Sequence, residues 1–260
     1  MNGADPLTLI RVLDTETTGL VNGEVCEVGW TDVRLYNDRW EIEGLPQSVL
    51  CGIEGEIEPE AQAEHHIDKS DLLGLPPFAE QLPSVYRGAA YFTAHNAEFD
   101  AQFFPDKSVP WICTMRVATA LWPDLPSYKN QALRYRRGIK VANPALAVPS
   151  HRAGPDSYVT AHILIALLNQ PDQRGQIHPL ANFVKVSALP RRIYRFNFGK
   201  HKGMHLTEAP YDYLDWVANK SDLDRDIKWN CIREMRARDE ATRAMTDSPN
   251  LFSPQQSEAI

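Results

Sequence analysis

An apolar, β-compatible run over residues 7–13 passes without a break into Asp14-Thr15-Glu16-Thr17-Thr18 and then Gly19. Apolar residues at that density read as a buried strand, and the acids and hydroxyls behind them as a functional loop at its end. Side chains two residues apart on a strand point the same way, so Asp14 and Glu16 share a face. Whatever the fold, it has to deliver two carboxylates to one side of a core strand.

Strand and helix signals alternate after that point. Residues 25–36 and a segment around 49–53 read as further strands of a β-meander, 76–87 as a helix, 90–94 as a strand, and 97–104 as a helix starting directly after Asn96. A short strand at 111–113, an amphipathic helix over 114–122 and a helix over 130–137 closed by Gly138 follow. Pro155 and Asp156 open an apolar helix that reaches Leu168 and is stopped by Pro171. The pattern predicts an α/β domain over residues 1–170. A polar stretch rich in Gln, Asp and Gly begins a linker, 171–192, ahead of a small aromatic-rich module over 193–240. Residues 241–260, rich in Ser, Pro and Gln towards the end and without an apolar period there, read as a flexible tail.

With 43% hydrophobic and 23% charged residues in 260, the chain has a globular composition. Its longest unbroken apolar stretch, 163–168, is far short of the roughly 20 residues of a membrane span. The first residues show neither the basic nor the apolar region of a secretory signal, so the expectation is a cytoplasmic protein with no membrane partner. Cys26, Cys51, Cys113 and Cys231 are scattered without a CxxC pair, which argues against a disulfide framework and a zinc finger. The net charge of -7 does not by itself point to a nucleic-acid partner. One local exception is the acid-free run from 191 to 205, which holds Arg191, Arg192, Arg195, Lys200 and Lys202.

Further acids recur at intervals. Asp100 falls one turn into the helix after Asn96, Asp156 begins the last helix of the large domain, and His151 precedes it by five residues. Singly, each has an ordinary explanation: a turn residue, a helix cap, a solvated loop histidine. In order they make a set, "VLDTETTGL" at 12–20, "AHNAEFD" at 94–100 and "HRAGPD" at 151–156. This set resembles the three motifs of the DnaQ-like (DEDD) superfamily of 3′-to-5′ exonucleases, in the subgroup whose third motif carries a histidine. "WICTMRVATALWP" at 111–123, "FGKHKG" at 198–203 and "YLDWV" at 213–217 extend the resemblance over nearly the whole chain.

The resemblance implies a ribonuclease H-like α/β exonuclease domain with a small C-terminal α+β module. The implied activity is hydrolysis of terminal phosphodiester bonds of DNA with release of nucleoside 5′-monophosphates, in a repair or mismatch-correction role. Asp14, Glu16, Asp100 and Asp156 would then hold two Mg²⁺ or Mn²⁺ ions. Four carboxylates sharing a site repel one another, and hard oxygen ligands suit these cations. Two ions there activate a water and stabilise the leaving 3′ oxygen. His151 is implied as the general base, a role suited to imidazole, which titrates near neutrality.

Implied substrate contacts are the backbone around Thr15 and Thr17, Leu20 as a wedge against the last base, Asn96 under the metal site, and His66 before a helix over the site. Two of these have a structural counterpart: Leu20 as core, Asn96 as a cap. His95 and His162 are assigned to packing. In the module, Arg195, Lys200 and Lys202 beside Tyr194, Phe196 and Phe198 read as a surface that stacks bases and neutralises phosphates, or the aromatics as the buried face of a short strand. His201 and His205 have i, i+4 spacing but no cysteine ligands nearby, so a zinc site is disfavoured. The expected partners are DNA 3′ ends, single-stranded or duplex. The alternatives are an exoribonuclease of the same superfamily acting on RNA, or a catalytically idle nucleic-acid-binding or polymerase-associated subunit, against which the intact set of five catalytic residues speaks.

Overall fold

Period-two alternation in the first strand organises the larger part of the molecule. The computed structural model describes residues 8–170 and 179–246. Strand β1 (Leu9–Thr17) is the middle of a five-stranded mixed sheet with β2 (Val25–Tyr36), β3 (Arg39–Leu50), β4 (Ala89–Ala94) and β5 (Trp111–Cys113), in the order β3-β2-β1-β4-β5. The meander β1-β2-β3 is antiparallel, whereas β4 and β5 add in parallel on the other side. Asp14 and Glu16 are therefore inside the strand and not in a loop beyond it, because β2 continues pairing as far as Thr17, with a register shift between Glu16 and Thr17. The expected strand around 49–53 begins at Arg39 instead.

Among the described residues, seven α-helices belong with this sheet: α1 (Pro59–His65), α2 (Phe78–Tyr86), α3 (Ala97–Ala101), α4 (Thr114–Leu121), α5 (Asn130–Arg136), α6 (Ala153–Leu168) and α7 (Pro179–Ala188). Ile10 and Val12 on one face of β1 join Ile112, Val117, Tyr158, Val159, Ile163 and Leu164 in the main core against α6. Leu13, on the opposite face, packs with Val28, Val85, Phe92 and Phe104. Helix α6 is apolar nearly all round because it is enclosed, with twelve of its sixteen residues buried. Its first turn lies directly on β2: a Cβ on Gly29 would stand 2.2 Å from the Ala153 carbonyl carbon, so only glycine permits the approach.

The stretch 171–192, expected as a linker, contains α7, which completes this first unit. Leu180 and Phe183 are buried in the main core, and the Ser187 hydroxyl accepts from the Cys113 N–H at 2.7 Å. The sequence shows the polar residues ahead of α7 and misses its apolar face. The chain divides into two compact units between Arg191 and Arg192.

The second unit consists of α8 (Tyr211–Lys220) and α9 (Arg225–Thr246) around Phe196, Leu206, Tyr213, Leu214, Val217 and Cys231. Its β content among the described residues is one isolated bridge, Arg195 with His205. Arg238 ties α9 to the preceding turn by donating to the Ala209 and Leu206 carbonyls at 2.8 Å each. Helix α9 runs through residue 240, where the tail was expected to start, as far as Thr246; residues 247–260 lie outside the described residues. Among the described residues no helix is long and apolar enough to cross a membrane.

Candidate active site

On the α6 side of β1, Asp14 and Glu16 continue the row of Ile10 and Val12 beyond the core, where they meet Asp156 in the first turn of α6. Carboxylate oxygens of the three lie within 4.8 Å of one another. Asp100, buried in α3, stands outside that triplet and accepts a 2.8 Å hydrogen bond from the Thr15 hydroxyl. Such a cluster is costly without a counter-ion. Burial, then the charges of Asp100, Glu16, Asp156 and Glu27, push the Asp14 pKa well above the ordinary carboxylate value. Burial, then Asp156, Glu27 and Asp100, push Glu16 up to about 8. Burial brings Asp100 to about 7 and also raises Asp156. A hard oxygen donor set that resists ionisation on its own fits a divalent cation, whose charge reverses the repulsion.

His151 has a left-handed backbone (φ 59°), and its N–H donates to Asp156 Oδ2 at 2.8 Å. Its imidazole is more than half exposed, with Nε2 3.3 Å from Glu64 Oε2. Glu64 is on α1, an element absent from the sequence expectations. Asp156 is held further by Gln131, whose Nε2 donates to Oδ1 at 3.4 Å, while Asn130 donates to the Thr160 hydroxyl at 2.6 Å. A more deeply buried support is Glu27, which accepts from Arg152 Nε and Nη2 at 2.9 Å each, from the Ala153 N–H at 3.1 Å, and from the Ser48 hydroxyl. Burial opposes the Glu27 charge, but the Arg152, Ser48 and Ala153 bonds outweigh it and hold its pKa below the usual value. Glu27 was legible in principle as an acid set between apolar residues, Val25-Cys26 and Val28, in a strand run.

A cavity of about 760 Å³ opens over these groups, lined by Thr15, Glu16, Thr17, Leu20, Glu64, His151 and Asp156 among others. Leu20 is 79% exposed on its lip and is not core. Thr17 is buried, its hydroxyl donating to the Gly19 carbonyl at 2.9 Å. His66 does not line the cavity: the left-handed turn that ends α1 there (φ 57°) leaves it exposed, and His65 lines the wall in its place. Asn96 is exposed and makes no side-chain cap; its backbone carbonyl accepts from the Phe99 N–H. His95 is a buried strut. Its Nε2–H donates to the Tyr128 carbonyl at 2.6 Å, which leaves Nδ1 to accept from the Thr114 hydroxyl at 2.9 Å. Arg195, Lys200 and Lys202 belong to the second unit. There His205 bonds to Thr207, and among the described residues the carboxylate triplet is the one grouping suited to a metal.

A family model described as exonuclease (RNase T) matches residues 12–164, a span that contains all five of these catalytic candidates. The chain belongs to the exonuclease family. Among curated members it is 32% identical to exodeoxyribonuclease 10 of Escherichia coli K12 over 219 residues, covering 82% of this chain and 92% of that relative. A solved structure of exonuclease X in complex with 5′ overhanging duplex DNA matches at 32% identity and a TM-score of 0.58, over 68% of this chain and 99% of that one. Exonuclease I, at 17% identity and a TM-score of 0.51 over 64% of this chain and 42% of its own, shares the fold. The ribonuclease H-like α/β architecture expected from the three motifs is thus present, and the chain is a nuclease of this family.

Proposed function

We propose that this exonuclease is metal-dependent, works from the 3′ end of DNA and releases nucleoside 5′-monophosphates. The observation that carries the reading is the meeting of Asp14, Glu16 and Asp156 within 4.8 Å, in a cavity that also opens onto His151. Two Mg²⁺ or Mn²⁺ ions held by Asp14, Glu16, Asp100 and Asp156 would supply Lewis-acid activation of the water and stabilisation of the departing 3′ oxygen.

The protein's own groups do the rest. His151 takes the proton of the attacking water at Nε2, and the Glu64 carboxylate faces the imidazolium that results. The water oxygen bonds to phosphorus as the P–O3′ bond breaks, and the released 3′ oxygen is protonated from solvent. Thr15 orients Asp100, while Gln131 and the His151 N–H fix the two oxygens of Asp156. Leu20, exposed on the lip, meets the terminal base, and the backbone at Thr15 and Thr17 meets its sugar and phosphate. Lys200 and Lys202, in the second unit, offer cationic contacts to nucleic-acid phosphates.

A 5′-labelled DNA oligomer and its RNA counterpart, incubated with Mg²⁺ and with chelator, test this reading. DNA should shorten stepwise from the 3′ end with nucleoside 5′-monophosphate as product, and chelator should stop it. Shortening of RNA alone would make the enzyme an exoribonuclease; Mg²⁺-dependent loss of neither would overturn the proposal.

A further inference from the structure

The second unit has a groove of its own, of about 400 Å³, lined by Phe198, Tyr213, Trp216 and Lys220 among others. Local sequence builds it. Gly199 takes φ +63°, a conformation that favours glycine, and a Cβ there would lie 3.0 Å from the Tyr213 hydroxyl, so the turn sits close against that side chain. Tyr213 and Trp216, three apart on α8, lie nearly parallel, with ring centroids 5.9 Å apart and planes 24° apart. Tyr213 is buried in the unit's core, but Trp216 is 47% exposed. Trp216 therefore offers part of its ring to a ligand in the groove wall.

The charge beside the groove is positive on one side. Lys200 Nζ stands 5.3 Å from the Tyr213 ring centroid, and Lys200 and Lys202 are both exposed within the acid-free run 191–205. On the other side Asp222 is in the wall, and Asp215 pairs with Lys220 at 3.8 Å. Phosphates are thus favoured at Lys200, with Lys202 two residues on in the chain, and the Tyr213 ring near Lys200 leads to the flat apolar group at Trp216.

We infer that this groove is a second nucleic-acid site, which takes one base of a single strand on Trp216 while Lys200 and Lys202 neutralise its phosphates. The inference rests on the nuclease reading for the choice of DNA as partner. Stacking plus backbone charge is the mode by which single strands are held without sequence preference, and the volume is in the range of small-ligand sites.

The test is fluorescence anisotropy of a labelled oligo-dT with the full-length chain in chelator, where no turnover occurs. Trp216→Ala should weaken binding roughly 5- to 100-fold, as loss of one stacked base does, and Trp216→Phe should recover most of it. Lys200→Gln with Lys202→Gln should flatten the log-log salt slope by about 1.4, at about 0.7 per phosphate contact on a single strand. Circular dichroism establishes that each variant is folded; should Trp216→Ala unfold, the Phe and Gln variants carry the decision. Wild-type affinity and slope in the folded variants would overturn the groove. Failure of the wild-type chain to hydrolyse DNA with Mg²⁺ would instead overturn the nuclease reading and leave the anisotropy to judge the groove alone.

Discussion

Glu27 and Arg152 meet through two parallel N–H···O bonds of 2.9 Å each, across 125 residues of chain. Glu27 also caps the first turn of α6 through the Ala153 N–H. The pair thereby pins the loop carrying His151 and the turn carrying Asp156 to the strand beside the one carrying Asp14 and Glu16. Glu27→Gln removes a buried charge and leaves Arg152 without its partner. We expect a loss of stability of about 2 kcal/mol and a lower kcat, read by chemical denaturation and by mononucleotide release. Wild-type values for both would show that the pair positions nothing.

Replacing Asp14, Glu16, Asp100 or Asp156 by Ala should each lower activity by roughly 10³-fold or more, since residues that act as a unit fail together. For Asp14 and Glu16 the same change should raise the stability of the metal-free protein, because burial and neighbouring acids disfavour these charges. Thermal melts in chelator beside Mg²⁺-dependent rates measure both effects. Variants that lose stability and keep activity would remove the cluster from the chemistry.

His151→Ala should fold normally and bind DNA, yet turn over roughly 10²- to 10⁴-fold more slowly, the usual contribution of a general base. The acidic limb of the pH–rate profile should change with it. An intact variant with wild-type turnover and profile would assign the proton transfer elsewhere.

Stability of the metal-free chain should depend on pH in a specific direction. Glu16 and Asp100 have folded pKa values raised to about 8 and about 7, so the folded state holds protons that the unfolded state has released. Their contribution is whole below the ordinary carboxylate range and is lost as pH rises through 7 to 8. His95 and His162, lowered to about 4 by burial, act oppositely: their contribution is present above 6.5 and lost as pH falls through 4. The Mg²⁺-induced rise in Tm isolates the carboxylates, and it should be larger at pH 8 than at pH 5. An equal rise at both would contradict the electrostatic account.

A chain ended at residue 170 should be several kcal/mol less stable than one ended at Arg191. Without α7 the core loses Leu180 and Phe183, worth roughly 1.5–3 kcal/mol each, and the Cys113 N–H loses its acceptor. Urea titration of the two truncations decides it; matching midpoints would make 171–191 a true linker.

The alternation of strands and helices, the shared face of Asp14 and Glu16 and the helix start at Asp156 were legible because they rest on short-range patterns, whereas grouping them with Asp100 and His151 took the resemblance of three ordered motifs. What escaped depends on distance or on a single dihedral. Glu64 faces His151, and Glu27 faces Arg152, only because the sheet brings remote segments together. His65 and His66 are neighbours in "EHHID", and the positive φ of the second decides which of them lines the cavity. Helix α7 hid behind polar residues because Leu180 and Phe183 are a short apolar stripe whose partner surface lies elsewhere in the chain.

The order in which the carboxylates occur along the chain has a bearing on biosynthesis. Asp14 and Glu16 leave the ribosome well ahead of Asp156, which belongs to α6, a helix that packs on strands made long before it. Until α6 has emerged and docked, a nascent chain holds two acids of the triplet and lacks the third, together with the histidine loop ahead of it. Under the proposed mechanism, translation itself delays the appearance of nuclease activity until most of the first unit has been made.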